Sequence, residues 1–574
     1  MREGKELAVI ESARTRFSPL SVSLALAGFA IAALPQTSLA QVYPGSGAIL
    51  QQVQPSAPES APNAQPGLTI QPEAAPAASD TTPFSVIHIT VSGNTSFDTG
   101  TLHALVAGGE GRTLTLAQLN ALAGIITDYY HAHGYPLARA YLPPQTIEHG
   151  TVRITVLEAR YGEVTVANHS RVSDGPLAAV LAPLRPGDII AQGPLDSRLL
   201  LLGDLPGVDP HATLSPGAAV GTADLAVRAE AGPFVTGSVI ADDLGNRYTG
   251  RARLGANVDI NSPLHRGDLL SANVLSSGKG LNYGRLAYQL PITGSGTRLG
   301  VAYSALTYRL AGGLGDLEAH GTASVASAWI SQPFVRSPNV NISGRAQFNH
   351  KRLDDRIDAA DLASQRRSDS VTFSLDATRR DGFGGGGITL ASASFTPGRL
   401  SFDNAQAQAA DAGTVKTAGS YTRWNATLAR LQTLTSHMRL YASLSGQYSP
   451  DNLDPSEQFL LGGANSVRGY DIGTLGGSSG YLATLELRHD LHLPLPGQWQ
   501  ATLFADTGGV RRNAHPVGTD ANTAHISDVG LGLDWMGPDQ WVGHVQVAIP
   551  VGSTPAIAGD RPSARVWVQV TKGF

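Results

Sequence analysis

Residues Gly250 to Ile260 read GRARLGANVDI, and this stretch decides the fold because its side chains alternate between two kinds. One set is small or apolar and recurs at every second position: Gly250, Ala252, Leu254, Ala256, Val258 and Ile260. The positions between them are mostly charged or polar: Arg251, Arg253, Asn257 and Asp259. A period of two places successive side chains on opposite faces of a β-strand. The stretch therefore predicts a strand with one apolar and one polar face.

The same period of two continues through most of the chain from Phe234 to Phe574. We count about sixteen such segments of about ten residues each, which favours a transmembrane β-barrel over a soluble sandwich with the same alternation. Short and long connections also alternate, as they do between the periplasmic and outer sides of outer-membrane barrels. The short ones include Asn261–Gly267, Thr293–Gly296 and Pro538–Gln540, and the long ones include Asp354–Asp369, Asp403–Gly419 and Arg511–His525. The sequence therefore predicts a barrel over 234–574.

The composition agrees with an exported β-protein. Of 574 residues, 65 are glycine and 15% are charged, and a net charge of −5 gives no basic field for nucleic acid. The chain has no cysteine, which excludes disulfides and thiolate metal sites. Residues 1–40 have the pattern of a signal peptide, with Arg14 and Arg16 before an apolar run and small residues at the predicted cleavage point after Ala40. No other stretch reaches the roughly 20 apolar residues of a membrane helix.

The segment after the signal peptide, residues 41–83, is rich in Gln, Pro, Ala and Ser, which is the composition of a linker. Within it, residues 46–54 (SGAILQQVQ) can form about two helical turns. A helix that short is unstable alone in water, so we expect it to dock into a cavity or onto a surface. This segment is a candidate plug helix.

Two small α+β modules are predicted before the barrel, over 84–159 and 160–233. In the first, strand patterns at Ile87–Val91, Leu137–Leu142 and Val152–Val156 enclose a helical pattern from Leu116 to Tyr130, which gives a β-α-β-β order. The second repeats the arrangement with two helical segments, Leu177–Leu184 and Leu195–Leu202, between strand patterns near Val164 and Val227.

Four motifs follow one another along the chain. LLLLGDLPGV at 199–208 lies before the barrel, and DDLGNRYTG at 242–250, SVRGYDIG at 466–473 and FADTGG at 504–509 lie within it. With this order and spacing the chain resembles the TpsB class of outer-membrane transporters of two-partner secretion. These belong to the BamA-like superfamily of barrels with polypeptide-transport-associated (POTRA) domains. The resemblance covers essentially the whole mature chain. One departure is the run GGSSG at 476–480, where the family has an acidic residue before Tyr481.

The resemblance implies a fold, a site and a partner. The fold is a transmembrane β-barrel of about 16 antiparallel strands behind two POTRA domains in the periplasm. A large TpsA exoprotein binds the POTRA domains through its N-terminal secretion domain and crosses the barrel, whose lumen is plugged by a helix such as 46–54. We expect a monomer in outer-membrane lipid, with no enzyme activity, cofactor, metal or nucleic acid. The implied site comprises a lumen loop (448–480) with Val467, Arg468, Gly469 and Tyr470, the wall residues Phe504, Asp506 and Gly508, and the first-hairpin residues Asp243, Gly245, Thr249 and Gly250.

Periodicity gives Arg468 its candidate partners. Its loop leaves the outer end of the strand 438–447, and its glycines would let it fold back into the lumen. An unpaired charge there would cost several kcal/mol. Because the apolar positions of the neighbouring strands face lipid, Asp506 and Glu486 face inward. We predict a planar, bidentate Arg468–Asp506 pair, with Glu486 as the second choice. The competing interpretation is a solvated arginine in a surface loop.

Three classes of function remain open: a TpsB translocator, an assembly insertase of the same superfamily, and a diffusion porin. Assembly proteins typically carry more POTRA domains, and a porin would need neither POTRA domain nor the VRGY loop. Two glycine patterns, at 382–387 and 476–480, match enzyme motifs but lie between strands, so we interpret them as turns. The 16 histidines show no spaced metal cluster, and His131 and His133 most simply end a helix.

Overall fold

The structure is a computed structural model, and it describes residues 44–53, 65, 67–70, 83–519, 521–559 and 561–574. The predicted signal peptide, the predicted mature start at Gln41 and much of the predicted linker lie outside the described residues. Within those ranges, no helix is both long enough and apolar enough to cross a membrane. The linker contributes helix α1 (Ser46–Val53) and the short strand β1 (Leu68–Ile70).

The first module contains two helices, where the sequence pattern predicted one. Its elements are β2 (Pro83–Val86), β3 (His88–Ser92), α2 (Thr99–Val106), β4 (Arg112–Thr115), α3 (Leu116–Ala132), β5 (Arg139–Tyr141) and β6 (Thr151–Leu157). Helix α2 begins where the Asp98 carboxylate accepts a hydrogen bond from the Thr101 amide at 3.1 Å. Helix α3 begins with a capping box between Thr115 and Gln118. Strands β3, β6 and β5 form one sheet in that order, with β3 parallel to β6.

A buried carboxylate fastens the α2 loop to the end of β6. Glu158 accepts hydrogen bonds from the Thr95 amide (2.8 Å), the Ser96 amide (2.8 Å) and the Tyr130 hydroxyl (2.8 Å). Burial opposes its charge, but these hydrogen bonds outweigh that effect and lower the pKa of Glu158 to about 2. The first module is therefore held by a charged group that stays ionised far into the acid range.

The second module adds a strand that the sequence pattern did not indicate. Its elements are β7 (Arg160–Asn168), α4 (Asp174–Leu181), α5 (Gln192–Gly203), β8 (Val208–Pro216) and β9 (Thr222–Ala231). Strand β8 contains Pro210, which made it a poor strand candidate. The sheet order is β1-β8-β9-β7, so the linker strand β1 covers the β8 edge in parallel. The leucines at 199–202 are buried, and most of them enter the core of this module.

The remainder of the chain is a closed barrel of 16 strands, as the sequence predicted. The last strand pairs with the first, and Gly237 and Phe574 exchange backbone hydrogen bonds of 3.1 and 3.0 Å. The strands are β10 (Val235–Asp242), β11 (Arg253–Asn261), β12 (Leu269–Ser276), β13 (Leu281–Pro291), β14 (Arg298–Arg309), β15 (Ala319–Arg336), β16 (Val340–Ile357), β17 (Leu362–Asp381), β18 (Gly387–Phe402), β19 (Gly419–Thr433), β20 (Met438–Tyr448), β23 (Ser479–Leu491), β24 (Gln498–Arg511), β25 (Thr523–Met536), β26 (Trp541–Val551) and β27 (Arg565–Gly573). Three further elements are not part of the wall: α6 (Ala405–Gly413) and the two strands of a hairpin, β21 (Phe459–Leu461) and β22 (Leu475–Gly477).

One predicted long connection is wrong. The sequence predicts a long outer connection over Asp354–Asp369, but β16 and β17 stay paired up to Ile357 and Leu362. Several polar and charged side chains of this stretch bond to side chains of the adjacent strand. Arg366 bonds to Asp355, and the Gln365 amide donates to Asp354 at 2.9 Å. A charge-rich sequence can therefore remain a strand when its ions are paired.

The second module is fixed to the barrel end where the short turns lie. The Arg336 guanidinium donates two hydrogen bonds of 2.8 Å to the Asp204 carboxylate, and Arg298 donates to the Asp204 carbonyl at 2.6 Å. The Ser262 hydroxyl, in the turn between β11 and β12, donates to the Pro206 carbonyl at 2.5 Å. These contacts hold the second module against the short-turn end of the barrel.

Candidate functional site

The lumen loop, predicted over 448–480, spans residues 449–478 in the structure, because β20 ends at Tyr448 and β23 begins at Ser479. It leaves the outer end of β20 and folds back between the barrel walls. Gly462, Gly463 and Gly473 have φ values of +97°, +110° and +69°, which only glycine adopts without strain. The loop closes on itself through the β21–β22 hairpin. Its middle carries the SVRGYDIG motif into the interior, where Arg468 is only 4% exposed. The competing interpretation of Arg468 as a solvated surface arginine is therefore wrong.

Arg468 makes a planar, two-bond contact with the barrel wall. Its Nε and Nη2 atoms donate to the Asp506 carboxylate at 2.7 and 3.0 Å. Nη2 also lies 2.8 Å from a carboxylate oxygen of Glu486. The guanidinium carbon sits 3.5 Å from the centre of the Phe504 ring, a cation–π contact. The structure thus brings together Arg468, both carboxylates named from periodicity, and Phe504.

Two further wall residues hold the same loop, and the sequence did not single them out. The Gly469 amide donates to Asp528 at 2.6 Å, and the Trp567 indole donates to the Arg468 carbonyl at 2.7 Å. Asp528 pairs in register with Asp506 on the adjacent strand, so its inward direction could have been read from the alternation of β25. The loop backbone is therefore fixed on both sides of the arginine.

The other motif residues provide the apolar contact between the loop and the barrel wall. Val467 is 0% and Tyr470 1% exposed, and both belong to a cluster with residues of β24 and β25. Gly508 lets the loop approach the wall closely, because a Cβ at this position would lie 2.9 Å from the side chain of Leu461. A larger residue at 508 would push the loop off the wall.

The first hairpin, between β10 and β11, contacts the lumen loop through Arg251, which follows the predicted residue Gly250. Arg251 donates to Asp471 at 3.1 Å. The predicted residues shape the hairpin instead: Gly250 has a φ of +101°, and a Cβ on Gly245 would lie 2.1 Å from the Gly250 carbonyl. Thr249 is buried, and Asp243 accepts a hydrogen bond of 2.8 Å from the β27 backbone.

Acidic residues in the first part of the loop bind basic residues of β16, β17 and β19. Glu457 lies 2.7 Å from Lys351 Nζ and 3.3 Å from Arg423. Asp454 bonds to Arg366 of β17. Each of these carboxylates is 4% exposed or less, so their charges are compensated by the wall and not by water.

Helix α1 lies inside the barrel beside the loop. Its apolar residues Ile49, Leu50 and Val53 belong to a buried cluster with inward residues of β13 to β16. The Ser46 amide and hydroxyl donate to Asp355 at 2.7 and 2.9 Å, which satisfies the start of the helix. The Gln51 amide donates to the Pro455 carbonyl of the loop at 2.9 Å. Helix and loop are thus in direct contact.

Comparison with known proteins agrees with this architecture. A family model described as haemolysin secretion/activation protein ShlB/FhaC/HecB matches residues 221–534, and one described as POTRA domain, ShlB-type, matches residues 84–159. The heme/hemopexin transporter protein HuxB of Haemophilus influenzae is 28% identical over 500 residues, which cover 86% of this chain and 87% of HuxB. The outer membrane transporter CdiB of Escherichia coli is 26% identical over 516 residues, covering 84% and 85%. The solved structure of CdiB from Escherichia coli superposes with a TM-score of 0.68 at 23% identity, covering 90% of this chain and 94% of that chain.

A closed barrel preceded by POTRA domains, taken together with the family match, identifies an outer-membrane transporter of polypeptides. The family match extends over more than half of the residues, and the chain belongs to the haemolysin secretion/activation family ShlB/FhaC/HecB. It is a TpsB transporter of the outer membrane that secretes a TpsA partner in two-partner secretion. The insertase and porin alternatives are not supported.

Proposed function

We propose that this transporter rests as a closed conduit whose lumen is occupied by α1 and the lumen loop, and that both move when an exoprotein arrives. The proposal rests on one observation: α1 and the lumen loop bind the same pair of wall residues. Ser46 of α1 and Asp454 of the loop bind the same Asp355–Arg366 pair of the wall. Displacing one element therefore disturbs the charges that hold the other.

Helix α1 acts as the plug. An eight-residue helix is unstable alone, so its stability comes from the wall and the loop. The contacts are of moderate strength: one apolar face, the two Ser46 bonds and the Gln51 bond. A plug held in this way stays in place at rest and is displaced when a competing chain fills the lumen.

The POTRA domains receive the N-terminal secretion domain of the exoprotein by pairing with a sheet edge. Three edges are already occupied in the described part of the chain. Strand β1 covers β8, the Ile89 amide of β3 donates to Glu110 at 2.7 Å, and the Ala140 amide of β5 donates to Thr127 at 2.9 Å. Strand β7 pairs with β9 along one side, and on its other side only its first residues are bonded, the Tyr161 amide donating to the Asp188 carbonyl at 2.9 Å. The later part of β7 carries the exposed Val166. We assign β7 as the edge that the partner extends.

The transporter works as a monomer in outer-membrane lipid. The barrel closes within one chain, so no second copy is needed to complete the wall. Large apolar side chains, among them Leu286, Leu503 and Leu531, are exposed on its outer face, as lipid contact requires.

The role of the POTRA domains is tested by deleting residues 84–233. We expect the barrel to insert and the secretion of one exoprotein to stop, with the abundance of other outer-membrane proteins unchanged. A general loss of those proteins would instead indicate an assembly function, and undiminished secretion would exclude the POTRA domains as the receptor.

The assigned edge is tested by cross-linking from a single introduced thiol, because the native chain has no cysteine. Val166→Cys on β7 should cross-link to an exoprotein arrested during export. Val220→Cys, in the exposed turn after β8, is the matched control and should not. Cross-linking from position 220 alone would place the partner on another surface.

A further inference from the structure

Three side chains from separate elements of the first POTRA domain meet at one point. His88 lies on β3, His103 on α2, and Glu110 in the turn before β4. His88 Nδ1 and His103 Nε2 lie 2.8 and 3.0 Å from the same oxygen, Glu110 Oε1. Their ligand atoms all lie within 4.8 Å of one another, and among the described residues no other three histidine or acidic side chains meet this condition.

The Glu110 carboxylate is held in place before any ligand arrives. Its Oε1 atom accepts a hydrogen bond of 2.7 Å from the Ile89 amide. This bond, followed by that from His103, lowers the pKa of Glu110, so the group is ionised at neutral pH. His103 is positioned by its helix, because the flanking Leu102 and Val106 are both fully buried. The position of the third member, His88, is set by the pairing of β3 with β6.

We propose that His88, His103 and Glu110 bind a divalent transition-metal ion of the zinc type. Two imidazole nitrogens and a carboxylate oxygen are ligands that such ions prefer, and three protein ligands leave a coordination position for water. The side-chain exposures of 56% for His88, 33% for His103 and 24% for Glu110 give the ion access from solvent.

Metal binding would require only small side-chain movements. A tetrahedral ion at about 2.1 Å from each ligand separates the ligand atoms by about 3.4 Å. The present separations from Glu110 Oε1 are 2.8 and 3.0 Å, as expected where protons bridge the groups. The ion would take the place of the protons on the ligand atoms, so binding should weaken at acid pH.

The bound ion would fasten β3 to α2 in a chain that has no cysteine for a disulfide. An ion that binds only the folded domain raises its stability by mass action. The inference concerns the stability of the first POTRA domain and stands or falls independently of how the exoprotein is bound.

The test uses the full-length, tag-free protein in detergent, stripped of metal with a chelator. We expect one Co²⁺ per chain to bind with the visible absorption of a low-coordinate site, Zn²⁺ to displace it, and the melting temperature to rise with Zn²⁺. His103→Gln and Glu110→Gln should weaken binding by more than about tenfold, since even changing a supporting group costs 10- to 100-fold.

The matched control is His169→Gln, which removes a histidine that lies 3.7 Å from Glu230 in the second POTRA domain. It should bind Co²⁺ like the wild type. If the metal-free His103→Gln protein melts at a lower temperature, His88→Gln replaces it, because His88 is the more exposed ligand. Unchanged affinity in the ligand variants, or no saturable site in the wild type, would overturn the assignment.

Discussion

Replacing Arg468 by alanine should release the lumen loop. The side chain makes two hydrogen bonds to Asp506 and an ion pair with Glu486, and it is 4% exposed. Removing one partner of a buried ion pair costs about 3–5 kcal/mol, because the remaining charges lose their counter-ion. Here two carboxylates are left, with Asp528 beside them. Each 1.4 kcal/mol changes an equilibrium constant tenfold. The ratio of docked to undocked loop should therefore fall by a factor of between about a hundred and a few thousand.

The loop position can be measured directly because the chain has no cysteine of its own. Val467→Cys introduces one thiol at a fully buried site next to the arginine. Its labelling rate with a maleimide in intact cells reports undocking. We expect slow labelling with Arg468 present and labelling at least a hundredfold faster with Arg468→Ala. Secretion of the exoprotein should fall sharply at equal barrel abundance.

The control is Arg488→Ala, which removes another arginine from Glu486 but leaves the loop contacts in place. It should label slowly and secrete normally. Asp506→Ala should be milder than Arg468→Ala, because Arg468 keeps Glu486 as a partner. Slow labelling and normal secretion in Arg468→Ala would refute the reasoning.

Asp355→Ala removes the acceptor of both Ser46 bonds, so α1 should leave the lumen more often and single-channel conductance in planar bilayers should rise; an unchanged conductance would count against α1 as a plug. Arg336→Ala removes the two-bond partner of Asp204, so limited proteolysis should cut the junction faster while the barrel keeps its heat-modifiable gel mobility; an unchanged cutting rate would mean that other contacts hold the second POTRA domain. Glu158→Gln should destabilise the first POTRA domain by about 2–3 kcal/mol at neutral pH. The pKa of Glu158 is lowered from 4.5 to about 2 on folding, so its stabilisation is present above pH 4.5 and lost as the pH falls towards 2. The difference from wild type in unfolding experiments should shrink over that window, and a constant difference would contradict the assigned role.

The barrel could be predicted from the sequence because each of its strands has a period of two. The same alternation predicts which side chains face inward, and so it identifies Asp506 and Glu486 as candidate partners of Arg468. The prediction ranks Asp506 first and Glu486 second, and in the structure Arg468 makes two bonds to Asp506 and also contacts Glu486. Asp528 and Trp567 were missed because no motif draws attention to them, although both lie on alternating strands.

The errors occurred where local pattern and tertiary structure disagree. Helix α2 is eight residues long and buries only Leu102 and Val106, too few positions to show helical spacing. The His88–His103–Glu110 cluster depends on that helix, so no spacing rule could find it. The outer ends of β16 and β17 are strands where a long connection is predicted, and part of their charge is paired between these two adjacent strands.

The pairing of β1 with β8 has a consequence for how the pore closes again. Residues 54–67 connect α1 in the lumen to β1 on the second POTRA domain. A connection of this length reaches at most about 50 Å, so a displaced α1 cannot diffuse away while β1 stays paired. Return of the helix is then a first-order event at an effective concentration on the order of millimolar, whatever the density of transporters in the membrane. Resealing after each polypeptide has passed would need neither a second protein nor an energy source.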